Sequence, residues 1–278
     1  MKLVQVFLQI EKDIIAGTLI MPALPAIALK VRKAVKEPNM DLVQLAKIVS
    51  LDPSFTAYLI SLSNSPMYRG VGRIDSVPVA LGRMGMESTK TSALIFSIRS
   101  LFKTNDKVSK NLLNRIWKNA CGVSALAFVI AKKLKTVDPE RASIAGLLHN
   151  VGMIPVVLKL VSQGTSEDEI LEKWQEIFKF SRKIAVRVLA NWGMEDEMKL
   201  VAAKVLEWEA ESDNPLVDHI NLALWHSYLG TSFFKVLPRM DHLNYFKINP
   251  ILELKDGSLL FVRESKQEIE QMMQAING

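Results

Sequence analysis

The side chains of this chain that could ligate a metal, relay a proton or attack a carbonyl are few enough to take one by one. It has four histidines and a single cysteine among 278 residues. His149 stands in GLLHNVGMIP, the run from Gly146 to Pro155, with Asn150 directly after it. An imidazole beside a carboxylate can help hold a cation. An imidazole beside a carboxamide offers a neutral oxygen and a donor, which suits hydrogen bonding better than metal binding. Asp218, His219 and His226 fall together in the stretch DHINLALWHSYL. Cys121 lies in an apolar run, which predicts a packed, inert thiol, and one cysteine excludes an intramolecular disulfide or a thiolate cluster. The acidic groups Glu195–Glu197 and Glu207–Glu211 come without a partner acid or nucleophile and read as solvated faces. No G-x-S-x-G, phosphate-binding loop, H-E-x-x-H or EF-hand loop is present.

Helices must position these groups. Asp41 with Gln44 three residues on predicts a capping box opening DLVQLAKIVS. Asp52–Pro53 and Asp138–Pro139 each place a cap residue before proline, the favoured first helical position, at DPSFTAYLISLSN and PERASIAGLLHN. Ser166 with Glu169 can cap the next helix, DEILEKWQEIFKF. Leu112, Ile116, Ala120, Val123, Ala127, Ala131 and Leu134 recur at helical spacing with one broad apolar face. The Asp-Gly in ILELKDGSLLFVR signals a small β-hairpin near the C-terminus, and Ser265 with Glu268 caps a last helix. Ile269, Met272, Met273 and Ile276 give that helix an apolar stripe suited to docking on its own domain. The expected class is mainly α. A glycine-rich stretch within Gly70–Gly85 suggests a seam between lobes near Ser76–Met86.

Composition bounds the partners. Hydrophobic residues make 49% and charged residues 23%, the balance of a packed globular chain. The longest unbroken apolar stretches, Cys121–Ala131 and Met153–Leu158, fall short of the roughly 18–20 residues that cross a bilayer. The N-terminal stretch meets Glu11, Lys12 and Asp13 too early for a secretory leader, so a cytoplasmic protein with no membrane span is expected. The net charge of +6 could suggest nucleic acid. The basic residues are dispersed, however, with short groups only at Lys30–Lys36 and Lys132–Lys135, which disfavours a nucleic-acid groove. Trp174, Trp192, Trp208 and Trp225 sit among aliphatic helical neighbours and read as core.

In order and spacing these features resemble the HDOD domain, the HD-related output domain of bacterial signalling proteins. The segment MPALPAIALKVRKAV, with Leu24 and Pro25, resembles its opening; the helix pair with Asp52, Pro53, Asn64 and Ser65 resembles its second segment. VPVALGRMG, with Leu81 and Gly82, and ASIAGLLHNVGM, with Gly146 and His149, complete the match. The resemblance implies an HD-like helical domain with an added N-terminal helical lobe. The divisions it suggests are an N-terminal helix over 1–19, the module over 20–230 with lobes of about 20–105 and 106–230, and a C-terminal extension over 231–278.

The resemblance also implies where a metal would sit. HD enzymes take an early histidine, a His-Asp pair and a late aspartate. Here those positions read Asn119, His149, Asn150 and Leu224, and a region where many relatives carry two histidines reads Leu206–Glu209. One imidazole cannot hold a catalytic cation that normally needs about three protein ligands. We therefore expect no catalytic residue, no metal and no cofactor, with Asn119, His149 and Asn150 forming an amide–imidazole network in the old site. The expected function is a non-catalytic bacterial signal-transduction protein acting through unknown signalling partners. Three alternatives stay open: a metal-dependent phosphohydrolase with an altered ligand set, a nucleotide- or nucleic-acid-binding module, and a vestigial pocket holding a small ligand.

Overall fold

The structure is a computed structural model that describes residues 3–18, 26–68, 70, 72–100, 102, 104–248, 254–255 and 258–277. Its helices in chain order are α1 (Leu3–Ile15), α2 (Ala26–Ala34), α3 (Leu42–Val49), α4 (Pro53–Ser63), α5 (Val77–Ser100), α6 (Lys107–Leu134), α7 (Pro139–Leu148) and α8 (Met153–Ser162). They continue as α9 (Glu167–Glu172), α10 (Trp174–Asn191), α11 (Asp196–Lys204), α12 (Pro215–Ser227), α13 (Asn244–Ile248), α14 (Leu260–Glu264) and α15 (Lys266–Asn277). The fold class is mainly α. Two compact units form, one of Met1–Pro22 with Phe102–Glu264 and a smaller one of Ala23–Leu101 with Ser265–Gly278. Ser76–Met86 therefore does not separate the units; it lies inside the smaller one, where Val77 begins α5.

In the smaller unit α2, α3 and α4 all pack on α5. The expected caps are present: Asp41 and Gln44 close a reciprocal box at α3, and the Asp52 carboxylate accepts from Phe55 N–H at 2.9 Å with Pro53 leading α4. Leu81 is fully buried in this core, whereas Gly82 faces open space on α5. α5 is broken once, at Gly85, whose φ of 79° and ψ of 173° no residue with a side chain adopts comfortably. α15 packs by Met272 and Ile276 against α4 and the 3₁₀ turn Pro66–Tyr68. Ser65 is buried there, its hydroxyl without a hydrogen-bond partner in the protein. Leu24 and Pro25 lie outside the described residues.

Asn64, a motif position of the resemblance, does more than end α4. Its Oδ1 accepts from Ile74 N–H at 2.9 Å, and its Nδ2 donates to Ile74 O at 2.8 Å and Ile60 O at 2.9 Å. The carboxamide thus pairs with both backbone groups of a buried residue, as a neighbouring strand would. Asn64→Ala leaves those groups unmet and should cost about 2–3 kcal/mol in chemical denaturation, against about 1 kcal/mol for the cap variant Asp52→Ala. Equal losses would show that the pairing is immaterial.

In the larger unit α6 is the central element, packed against α7, α8 and α12, and α10 packs against α8 and α11. Its apolar face is as broad as the spacing predicts, with Leu112, Ile116, Ala120, Val123, Ala127 and Ala131 all buried. Cys121 is buried on it as well. α1 lies on α8 through Val6 and Ile10, with the Phe7 ring stacked on Phe180 and Lys159 paired with Asp13 at 2.8 Å. Trp174, Trp192 and Trp225 are buried, as their aliphatic settings suggest. Within Pro139–Ser162 a window of 18 residues reaches the mean hydropathy of a membrane span, 1.8, but 78% of that window is buried inside the protein and the stretch forms two helices.

The C-terminal hairpin is smaller than its sequence signal. β1 (Leu254–Lys255) and β2 (Ser258–Leu259) pair antiparallel, Leu254 opposite Leu259 and Lys255 opposite Ser258. The Asp256–Gly257 turn lies outside the described residues. The second apolar arm does not continue as a strand: Leu260–Glu264 turns into α14 and packs on α6. An isolated two-stranded pair is marginal in water, so burial of a helical face wins over extending the ladder.

Candidate functional site

The histidine that the sequence singles out sits where α7 ends, and the approach of α7 to α6 sets its surroundings. Asp138 caps α7, accepting from Arg141 N–H at 2.8 Å, and Pro139 opens it. Gly146 lets the two helices close up: a Cβ there would come within 2.8 Å of Ser124 Cα. Beside it the Ser124 hydroxyl donates to Ser143 O at 2.8 Å and lies 2.8 Å from the Ser143 hydroxyl, a pairing of small polar side chains inside an apolar interface. After Leu148 the backbone turns through His149 to Gly152, where α8 begins against α10. A Cβ on Gly152 would lie 2.1 Å from Ser181 O and 2.5 Å from Ala185 N.

His149 is 1% exposed. Its Nδ1 is 2.6 Å from Gly146 O, so Nδ1 carries the proton and donates, and Nε2 is left as a bare lone pair with no partner in the protein. Phe178 meets the ring edge-on at 5.6 Å. Burial pushes the imidazole down to about 4, against the weaker opposing effect of the Gly146 carbonyl, so it is neutral at pH 7. Asn150, also buried, donates through Nδ2 to Ile116 O at 3.1 Å and to Asn119 Oδ1 at 3.2 Å. Its own Oδ1 has no hydrogen-bond partner in the protein.

The structure therefore joins Asn119 to Asn150 but gives no hydrogen bond from His149 to either. The amide–imidazole network expected from sequence is an amide–amide bond beside an imidazole that bonds its own helix. The reason is local: the carbonyl three residues back lies within reach of Nδ1 and captures it first. Leu224 is fully buried on α12 and adds only apolar surface. Leu206–Glu209 forms a turn in which Leu206 takes a φ of 70° and donates its N–H to Asn221 Oδ1 at 3.0 Å. Glu207 in the same turn pairs with Arg182 and Lys204, each at 3.0 Å.

Two of the other histidines serve the core, while His242 is exposed. His219 Nε2 bonds Ala127 O on α6 at 2.9 Å, and His226 Nδ1 bonds Leu222 O at 2.9 Å while its Nε2 accepts from Leu259 N–H at 3.4 Å. Burial lowers both to about 4. Asp218 is buried with Asn244 Nδ2 on its carboxylate at 3.1 Å, and burial raises its pKa. The acidic group at Glu195–Glu197 is not a bare solvated face: Arg141 Nη2 bonds Glu195 at 2.8 Å and also Glu197, tying α7 to the start of α11. Sequence reasoning missed this clamp and the Ser124–Ser143 pair, because partners 19 to 56 residues apart leave no local pattern.

A divalent cation fits these residues poorly. The available donors are one imidazole lone pair and one carboxamide oxygen, both neutral, while Asn119 Oδ1 is taken by Asn150. No carboxylate joins them, and among the described residues no three His, Cys, Asp or Glu side chains gather where a metal could be held. A phosphoryl-activating metal needs anionic charge and about three protein ligands.

A family model described as the HDOD domain matches residues 21–205. Among solved structures, a Shewanella amazonensis SB2B protein provisionally described as a metal-dependent phosphohydrolase superposes with a TM-score of 0.77 at 20% identity, covering 99% of both chains. A Marinobacter aquaeolei VT8 protein provisionally described as a signal transduction protein gives a TM-score of 0.57 at 21% identity, covering 95% of this chain and 61% of that one. At such identities the likeness is one of fold. An uncharacterized protein of Treponema pallidum (strain Nichols) is 24% identical over 135 residues, 48% of this chain, which spans about a quarter (25%) of that relative.

Proposed function

The chain belongs to the HDOD family, and from that premise we propose that it is a non-hydrolytic regulatory protein acting in signal transduction through protein–protein contact. The observation that carries this reading is the Asn119–Asn150 hydrogen bond, which occupies positions where the related hydrolases need an imidazole and a carboxylate. His149 cannot restore the chemistry alone. Its Nε2 offers one neutral lone pair, and among the described residues no other His, Cys, Asp or Glu side chains gather with it to complete a metal site. A fold with its hydrolytic ligands replaced by a hydrogen-bonded pair of amides still offers its outer surface to a partner. The rival reading, a phosphohydrolase with other ligands, draws on the name of the Shewanella protein. Its nearest recruits are His219, His226 and Asp218, and each already has a structural hydrogen bond.

The test is metal content and activity on untagged protein expressed with manganese, iron and zinc supplied. Metal well below one per chain is expected, with no hydrolysis of bis-p-nitrophenyl phosphate or cyclic dinucleotides, and His149→Ala should change neither. Near-stoichiometric metal that is lost in His149→Ala would overturn the proposal.

A further inference from the structure

The two units differ in how their charge is used. The larger unit, 1–22 with 102–264, carries 24 basic against 22 acidic side chains, whereas the smaller, 23–101 with 265–278, carries eleven basic against seven acidic. In the larger unit many cations are mated: Lys159 to Asp13, Arg141 to Glu195, Arg182 to Glu207 and Lys199 to Asp196. On α2 and α3 they are not. Lys30, Lys33, Lys36 and Lys47 are exposed and form no ion pair among the described residues.

Helical geometry puts these cations on one surface. α2 buries Ile27, Val31 and Ala34, and its outward stripe is Leu29, Lys30 and Lys33, continued by Lys36 in the turn beyond. α3 buries Leu45, Ala46 and Val49 and turns Val43 and Lys47 outward. Both helices rest on α5 and on each other, so their outer faces adjoin. Apolar side chains are exposed among the lysines: Leu29 at 52%, Val43 at 64% and Leu51 at 71%. The nearest acids are few. Asp41 is occupied in capping α3 and Asp52 in capping α4, and Glu37 is the third.

A surface that is cationic and apolar together selects its occupant. A nucleic-acid backbone would meet the lysines but leave the three aliphatic side chains without a complement. A bilayer would need a free apolar helix face to insert, and the apolar face of α2 is already in the core. An amphipathic protein helix with carboxylates and aliphatic residues on one side complements both features. Lysines three residues apart along α2 stand about 4.5 Å apart along its axis, close to the rise between glutamates on an opposing helix. We propose that the α2–α3 face of the smaller unit is the docking surface for an acidic amphipathic helix of a partner protein. The assignment rests on the protein-contact reading above and gives that contact a place and a chemistry.

The probe is a labelled synthetic helix of about 20 residues bearing glutamates and leucines on one face, long enough to be helical. Binding by fluorescence anisotropy is measured in about 50 and about 300 mM NaCl, where screening separates charge from apolar contact. The full chain should bind it, with roughly tenfold or greater weakening in Lys30→Glu/Lys33→Glu/Lys36→Glu. Val43→Ser should weaken binding at both salt concentrations. The control Lys132→Glu/Lys133→Glu/Lys135→Glu, on another basic group, should bind as wild type, with circular dichroism confirming that all variants fold. No binding, or equal loss in both triple variants, overturns the proposal. So does tighter binding of duplex DNA or of phosphatidylglycerol vesicles through Lys30, Lys33 and Lys36. Hydrolysis of a phosphodiester by the wild type would overturn the regulatory reading instead and leave the peptide result standing.

Discussion

Gly152→Ala should unfold the larger unit or lower its midpoint severely, the largest expected effect of any single methyl group in this protein. The added Cβ would lie 2.1 Å from Ser181 O and 2.5 Å from Ala185 N, both backbone atoms of α10 that no rotamer change can move. Relief requires α8 and α10 to part, and these packed helices bury Ile154, Val157 and Ile184. Overpacking of this kind costs at least about 3 kcal/mol, and the loss in Tm should be about 6–12 °C if the chain folds at all. Gly146→Ala meets Ser124 at 2.8–3.0 Å and should lose less, because its clash is shallower. Gly82→Ala faces open space on a helix and serves as the control, with stability unchanged or slightly raised. Thermal melts of the three variants rank these sites. A Gly152→Ala protein as stable as Gly82→Ala would refute the close approach of α8 and α10.

Acid should unfold the protein well above the pH at which its carboxylates titrate. His149, His219 and His226 are each held at about 4 by burial, against an ordinary value of 6.5. The unfolded chain takes up a proton near pH 6.5, while the folded chain resists until about pH 4. Stability is therefore fully present above pH 6.5 and falls as the pH drops toward 4, where the loss levels off. Each imidazole contributes up to about 3 kcal/mol over that window. The three together rival the total stability of an ordinary domain, about 5–15 kcal/mol. Asp218 acts in the opposite sense. Burial raises its pKa despite the bond from Asn244, so the folded state gains stability as the pH falls through that raised value. Urea denaturation at pH 8, 6.5, 5 and 4.5 measures the slope. His149→Leu should flatten the slope by about a third, because it removes one of the three resisting imidazoles. Stability that stays level from pH 7 to pH 5 would show that these rings are not buried and neutral.

Much of the architecture was legible before any coordinates. Asp41, Asp52, Asp138 and Ser166 cap the helices they precede, since a cap needs only residues three apart. The apolar period of α6 likewise declares its buried face. The family was legible because its short motifs recur in a fixed order. Less legible was anything decided by direction. The identities of Asn119, His149 and Asn150 did not reveal that the imidazole bonds Gly146 O and leaves the amides to each other. Leu260–Glu264 reads in sequence as part of the hairpin's second arm, and packing on α6 made it helical instead. The break in α5 falls at Gly85 and not at Gly82 three residues before it, and only φ separates the two, since both have open space around them.

Three of the polar contacts to α6 also constrain how the larger unit can move. Asn119 meets Asn150, Ser124 meets Ser143, and the carbonyl of Ala127 meets His219. They are spread over about 12 Å of helix axis, at 1.5 Å per residue, and reach three different segments of chain. Apolar side chains can slide past one another by small amounts at little cost, which is how many packed helices relay a signal by shear. A ratchet of α6 would break all three bonds at once, with two of them deep in the core. The helix behaves as a keyed shaft rather than a sliding rod, so a force applied to this unit displaces the block as a whole.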